Sequence, residues 1–337
     1  MKPADLLNPL VAEDEVLNSL MKFSVVPMIL LAAGTAHAAQ LDTDARGAVP
    51  KDVQQLVVID YRAMQNSPSA MSLRNRVMPP ELKQFDEALK KTALGGSGSM
   101  DQYVDELAFA LFRTSAKSTD NLETVGVAQG QFPEQDIMAT FKKQRIKPTM
   151  VRTNAIYPMT RTGMMLCFVD ASTMIFGDKS AVTRALDARD GVSQSLLSNG
   201  EMMSAMQSVD SSALWSILDD QGTQTMLKQL LGEAGSVTDF DSVKKRLQGS
   251  WYSMDFSHGV RFDLTISTGD PFTAATMSSL LSAAVIVRKM SSSDAEKDAL
   301  NATTIASNAG QLNIHFASSD TQFASLLQSP LFQSMVH

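Results

Sequence analysis

The 337-residue sequence predicts an α+β protein of two similar halves, each a mostly antiparallel sheet with helices packed on one face. Three observations carry that prediction. Short runs of branched and aromatic residues alternate with amphipathic stretches along the chain. The order strand, helix, two strands, helix, strand, helix occurs over residues 51–190 and again over 210–337, the signature of an internal repeat. In each copy an extended segment meets a proline and turns directly into a helix, at Phe132-Pro133 and at Asp270-Pro271. Proline suits a first helical turn, where its missing N–H loses no intrahelical bond and its fixed φ matches the helix. A content of 44% hydrophobic and 19% charged residues supplies a packed core and excludes wholesale disorder.

The elements follow in order. Residues 39–50 are polar and read as a flexible lead-in. Residues 56–61 (LVVIDY) form a strand, and Ser67-Pro68-Ser69 punctuates the chain after it. Pro79-Pro80 opens a helix over 81–92, with Leu82, Phe85 and Leu89 on one face, and the loop GGSGS at 95–99 follows. Strands at 106–113 and 123–132 pair with each other. A helix then runs from Pro133 to Gln144 on the stripe Ile137, Met138 and Phe141. Residues 149–159 and 163–176 are further strands, the second broken by a turn at Asp170-Ala171-Ser172. Gly177-Asp178 ends it and caps a helix over 179–188.

The second copy runs through a strand at 213–218, a helix at 223–231, strands at 250–256 and 260–267 around the turn His258-Gly259, and a long helix over 272–290. A strand at 312–316 and a helix at 320–327 complete it. Two copies of one unit would set like surfaces side by side, and a groove between them is the expected binding site.

The N-terminal region carries an export pattern. Lys22 gives residues 21–38 a positive start. The apolar run 23–34 is too short to span a bilayer, and Ala36-His37-Ala38 offers small residues for cleavage. The reading is a signal peptide cut after Ala38 and a periplasmic or extracellular protein. Residues 1–20 hold Asp5, Glu13, Asp14 and Glu15 and are wrong for a signal start. They are a mis-called start ahead of Met21 or the cytoplasmic tail of a signal anchor. No other stretch approaches 18 uninterrupted apolar residues, so no membrane span is expected in the mature chain. A net charge of −7 without a basic stripe argues against nucleic acid.

With its signal pattern, the opening VVIDYRAMQNSP and the central segment FVDASTMIFGDKSAVTRALDAR, the chain resembles an uncharacterised family of exported bacterial α+β proteins. The likeness spans most of the mature chain and rests on structural motifs: a short turn, then a strand ending in Gly-Asp at a helix cap. It implies a fold and no activity, so it assigns no functional residue.

Chemistry is sparse. Gly95 to Ser99 lacks the last glycine and the flanking strand and helix of a nucleophile elbow. Neither a phosphate loop nor a His-Glu-x-x-His pair occurs. Asp42-x-Asp44 starts like a calcium loop but puts Arg46 and Val53 where ligands belong. His258, in a hairpin turn, and His315, in a strand, are the histidines open to catalysis or metal binding. Met202, Met203 and Met206, with Met164-Met165, have the softness copper(I) favours, yet methionine also fills cores and lines pliant partner surfaces. Asp219-Asp220 reads as a turn, Asp60 and Asp170 end strands, and Cys167 is a buried apolar filler.

No catalytic, cofactor-binding or metal site is therefore assigned, and no cofactor is expected. The expected role is that of a non-enzymatic binding or scaffold protein of the bacterial envelope, its partner an unknown envelope protein or an apolar ligand. Two alternatives stand beside it. A hydrolase of an envelope or extracellular polymer would converge acids or a serine on His258 or His315. A periplasmic carrier would enclose an apolar cavity lined by Met and Phe.

Overall fold

The computed structural model describes residues 40–77, 83, 86, 87, 90, 100–113, 122–159, 163–231 and 240–329. The expected signal peptide, residues 1–20, the loop at 95–99 and most of the helix expected over 81–92 lie outside them. The described elements run α1 (Thr43–Ala48), β1 (Val53–Asp60), α2 (Tyr61–Gln65), α3 (Pro68–Val77), α4 (Met100–Tyr103), β2 (Val104–Arg113), β3 (Leu122–Gly130) and α5 (Glu134–Lys143). Next come β4 (Thr149–Val151), β5 (Asn154–Pro158), β6 (Met164–Phe168), β7 (Thr173–Asp178), α6 (Lys179–Arg189), a 3-10 turn (Leu196–Ser198) and α7 (Gly200–Gln207). The rest comprises β8 (Leu214–Leu218), α8 (Asp220–Leu231), α9 (Phe240–Lys244), β9 (Leu247–Asp255), β10 (Val260–Thr268), α10 (Pro271–Ser291), α11 (Asp294–Asn301), β11 (Thr303–Asn308), β12 (Gln311–Ser318) and α12 (Asp320–Leu326).

The fold is α+β, and its sheet is antiparallel throughout the described pairs. The strands of the two halves join in one 12-stranded sheet, ordered β11-β12-β10-β9-β8-β1-β2-β3-β7-β6-β5-β4. Among the described residues no groove separates the strands of the two halves, because β1 and β8 pair directly, with Val58 opposite Trp215 and Leu56 opposite Ile217. Outward from that seam the order is β1-β2-β3-β7-β6 on one side and β8-β9-β10-β12-β11 on the other.

The continuous apolar runs at the seam have a simple cause. In β1 the side chains of Val57 and Ile59 enter one core and those of Leu56 and Val58 the other. A strand covered on both faces needs apolar residues at every position, not at alternate ones. In β8, Leu214 and Leu218 face the first core and Trp215 and Ile217 the second.

The front core spans the whole sheet. It takes Leu73 of α3, Ile137 and Phe141 of α5, Leu227 of α8, Met277 and Leu281 of α10 and Phe323 of α12. The back core takes Ala45 and Ala48 of α1, Val182 and Leu186 of α6, Leu196, and Met202 and Met206 of α7. It stops at Trp251 of β9. The helices within 210–337 thus lie on one face, as expected, although α7 covers the back of β8 and β9, and the first half has helices on both faces.

Several local expectations change. The lead-in is ordered from Gln40: Asp42 caps α1 by accepting the Ala45 N–H at 2.7 Å, and Leu41, Ala45, Ala48 and Val49 are buried. The same Asp42 thereby serves as a cap in the segment that starts like a calcium loop. The strand expected over 149–159 is a hairpin, β4-β5, turning at Arg152-Thr153 with Arg152 at φ 55°. No glycine announces that turn. The Arg152 guanidinium is instead held by Asp187 at 2.5 Å and Asp190 at 2.8 Å. Asp178 stands at the N-cap of α6 but makes no side-chain cap bond. The elements α2, α3, α4, α7, α9, α11 and β11 have no counterpart among the expected ones.

Candidate functional site

The carboxylates singled out in the sequence are occupied with holding the backbone. Asp60 accepts the Ala63 N–H at 2.8 Å and starts α2. Asp170 accepts both the N–H and the hydroxyl of Ser172, closing the β6-β7 turn. Asp219 accepts the Gly222 N–H at 2.6 Å in the first turn of α8, and burial pushes its pKa up to about 6. Asp220 accepts the N–H of Gln221. Capping of this kind satisfies helix donors that lack intrahelical partners.

The histidines do not meet. His315 Nδ1 lies 2.7 Å from Asp263 Oδ1 across the β10-β12 ladder, and Arg261 sits beside the same Asp263 carboxylate. This pair is on the half-exposed back face of the second half, beside Thr265 and Asn313, whose side chains bond at 3.0 Å. His258 Nδ1 is 3.1 Å from Ser257 Oγ, and that hydroxyl donates to Asp255 at 2.6 Å. A nucleophilic triad needs the histidine between serine and acid. Here the serine stands between them, and its proton already points at the carboxylate.

Cys167 and the methionines Met164, Met165, Met202, Met203 and Met206 pack in or against the cores. Cys167 is buried, and desolvation pushes its thiol up to about 11, leaving it without thiolate at neutral pH. Met202 and Met206 fill the back core, with Met203 packed against it. Met164 and Met165 point to opposite faces of β6, into different cores. Among the described residues no three His, Cys, Asp or Glu side chains cluster as metal ligands. A small indentation between α11, α12 and β12 is lined by Ala295, Ala299, Ala302, Phe316 and Leu326, with Asp298 and Gln322.

One surface stands out, on α10. Its start is firmly fixed. Asp270 accepts the Thr273 N–H and hydroxyl, each at 2.8 Å, and those bonds hold its carboxyl below the usual range. Pro271 occupies the first turn. Thr273, Ala274, Met277 and Leu281 face the front core. On the opposite side Phe272 is 75% exposed, Ile286 64%, Val287 63% and Met290 85%. Ala275, Ser279 and Ala283 are exposed between them. These positions recur every three or four residues, so they form one stripe along the helix. Of residues 285–291 five are exposed and none is buried.

By length and composition α10 is apolar enough to cross a membrane, with 22% of that window buried. Serine and threonine interrupt its sequence, so it holds no long unbroken apolar run. Beside α10 lies the edge strand β11, TTIASN, paired on one side with β12. It carries none of the lysine or proline that blunts many sheet edges.

No protein-family model matches the chain, and no curated protein matches it. Solved structures of TP0453 are similar at low identity. Crystal form I has a TM-score of 0.48 at 12% identity and covers 89% of this chain and 99% of that one. Crystal form III gives 0.43 at 12%, covering 86% and 98%, and crystal form IV gives 0.44 at 10% over the same shares. Likeness of this size bears on neither ligand nor activity.

Proposed function

We propose that the chain is an exported, non-enzymatic binding or scaffold component of the bacterial envelope that engages its partner through the outer face of α10. The exposed stripe Phe272, Ile286, Val287 and Met290 carries this reading. Large apolar side chains aligned on one helix face mark interaction sites more often than stray surface residues do. Asp60, Asp170, Asp219 and Asp220 are engaged in caps and turns, and His258 and His315 in surface pairs, which favours binding over hydrolysis.

A photo-crosslinking amino acid at Val287 tests the reading in cells, with one at Lys179 on α6 as control. Adducts from Val287 and none from Lys179 are expected. Equal labelling, or none, overturns the assignment of this face. Export is tested by N-terminal sequencing of the mature protein, which is expected to begin at Ala39. Recovery of the whole chain in the inner membrane would favour a signal anchor.

We also read the two halves as copies of one unit. Its support is the matching strand order on either side of the seam and the equal place of the helices after Pro133 and Pro271. Superposing 51–190 on 210–337 tests this. Failure of α5 and α10 to coincide when β1-β2-β3 is laid on β8-β9-β10 would reject it.

A further inference from the structure

We propose that the outer face of α10 is the two-fold interface of a homodimer, packed antiparallel against α10 of a second copy; this rests on the reading that the face is a binding surface. The stripe is symmetric about its own midpoint. Position 272 balances 290, 275 balances 287 and 279 balances 283, all about position 281. Laid antiparallel on itself, Phe272 meets Met290, Ala275 meets Val287, and the small side chains of Ser279 and Ala283 meet at the centre. Small residues at the crossing let two helices approach closely while larger ones interlock at the ends. An isologous interface needs this kind of self-complementarity.

Charge selects the same arrangement. α10 carries Arg288 and Lys289 in its last turn and no acid within its span. A parallel pair would set these cations against their copies. An antiparallel pair separates them by about 21–24 Å along the helix axis. It also brings each set toward the Asp270 end of the other copy and opposes the helix dipoles. The area is sufficient. Four large exposed side chains from each copy, with the small residues between them, supply on the order of 1,000 Å² of buried surface, the lower bound of a specific interface.

Sedimentation velocity of the full chain, from about 1 to 100 µM, should show a dimer. The double variant Ile286→Glu, Met290→Glu should weaken it at least about tenfold, while Asp263→Asn on the back face leaves it intact. Orientation is read by disulfide trapping against the buried Cys167 background. Mixing Ala275→Cys chains with Val287→Cys chains should give the crosslinked pair, and neither should crosslink alone. Like positions lie about 18 Å apart in the antiparallel pair, beyond the reach of a disulfide. A monomer at every concentration, or each cysteine variant trapping itself, overturns the proposal. So does a monomer that binds phosphatidylcholine or anionic vesicles through the same residues, which would assign the face to lipid. Crosslinks from Val287 to another envelope component in a monomeric chain leave the binding-face reading standing and remove only the dimer. Absence of both removes both.

Discussion

The two sides of the seam share a strand order and differ in what covers them. Around β1, β2, β3 and β7 both faces are buried, the back by α1 and α6, while α7 covers the back of β8 and β9. Around β10 and β12 the back face carries Arg261, Asp263, Thr265, Asn313 and His315, half-buried or exposed among the described residues. The helix that ends each half accounts for much of this. α6 folds onto the back of β7 and β3, whereas α12 goes to the front. There Phe323 meets the Phe256 ring edge-on, and Asp320 accepts the Ser69 hydroxyl of α3 at 2.5 Å. One helix completes its own half, and the other ties the second half to the first. A single sheet topology thus serves as a sealed framework at one end and a one-sided platform at the other.

The comparison can be broken or sharpened by substitution. The largest effect is expected for Trp215→Ala, at the seam and fully buried, with a loss of about 3–5 kcal/mol in urea unfolding. A loss below about 1 kcal/mol would show that the back core contributes little. Next comes Gly126→Ala in β3. The Phe109 and Phe176 rings meet edge to face at 6.1 Å from the strands flanking this glycine, and an added Cβ would fall 2.2 Å from the Phe176 ring. Overpacking should cost about 1–3 kcal/mol, read from the same melts.

A smaller, pH-dependent effect is expected for Glu106→Gln. Burial, and then the nearby Asp60, Asp105 and Asp42, push Glu106 up to about 7 from 4.5, against the bond from the Gln40 N–H. The folded chain therefore holds this proton more tightly than the unfolded one. Its stabilising contribution is whole below pH 4.5 and is lost as pH rises through 7. The variant should gain on the parent by about 1 kcal/mol between pH 5 and 8, a figure reduced for partial exposure. Equal pH profiles would refute it. The smallest effects belong to the open face. His315→Ala and Asn313→Ala should each shift stability by under about 0.5 kcal/mol, with the His315 change shrinking further in high salt.

The sequence was legible where one physical signal acted alone. LVVIDY and ALWSIL announced the seam strands because double burial demands unbroken apolar runs. Pro133 and Pro271 announced their helices because proline is tolerated at a helix start and not in its interior; Pro133 is the N-cap of α5 and Pro271 lies in the first turn of α10. Signals failed where tertiary contacts took over. Arg152 turns a hairpin without glycine because Asp187 and Asp190 grip its side chain. Residues 40–50 look like a linker because the small side chains of Ala45 and Ala48 are buried against the sheet while the exposed ones are polar. α11 starts at Ser293 and Glu296, which form a reciprocal capping box with the Ser-x-x-Glu spacing of a helix start. The α10 surface was half legible. Its length and apolar content are in the sequence, but which side stays uncovered depends on the sheet.

The β1-β8 seam also sets a timetable. β1 is synthesised before β8, and it needs two neighbours. One, β2, arrives soon after it. The other lies about 150 residues downstream, and at roughly 5–20 residues per second it is delayed by on the order of ten seconds. Until then Leu56, Val57, Val58 and Ile59 form an apolar strand with one open edge, the kind of surface that templates misassembly. A nascent chain with this topology therefore has reason to meet a holding factor early, and shortening the path between β7 and β8 would shorten that wait.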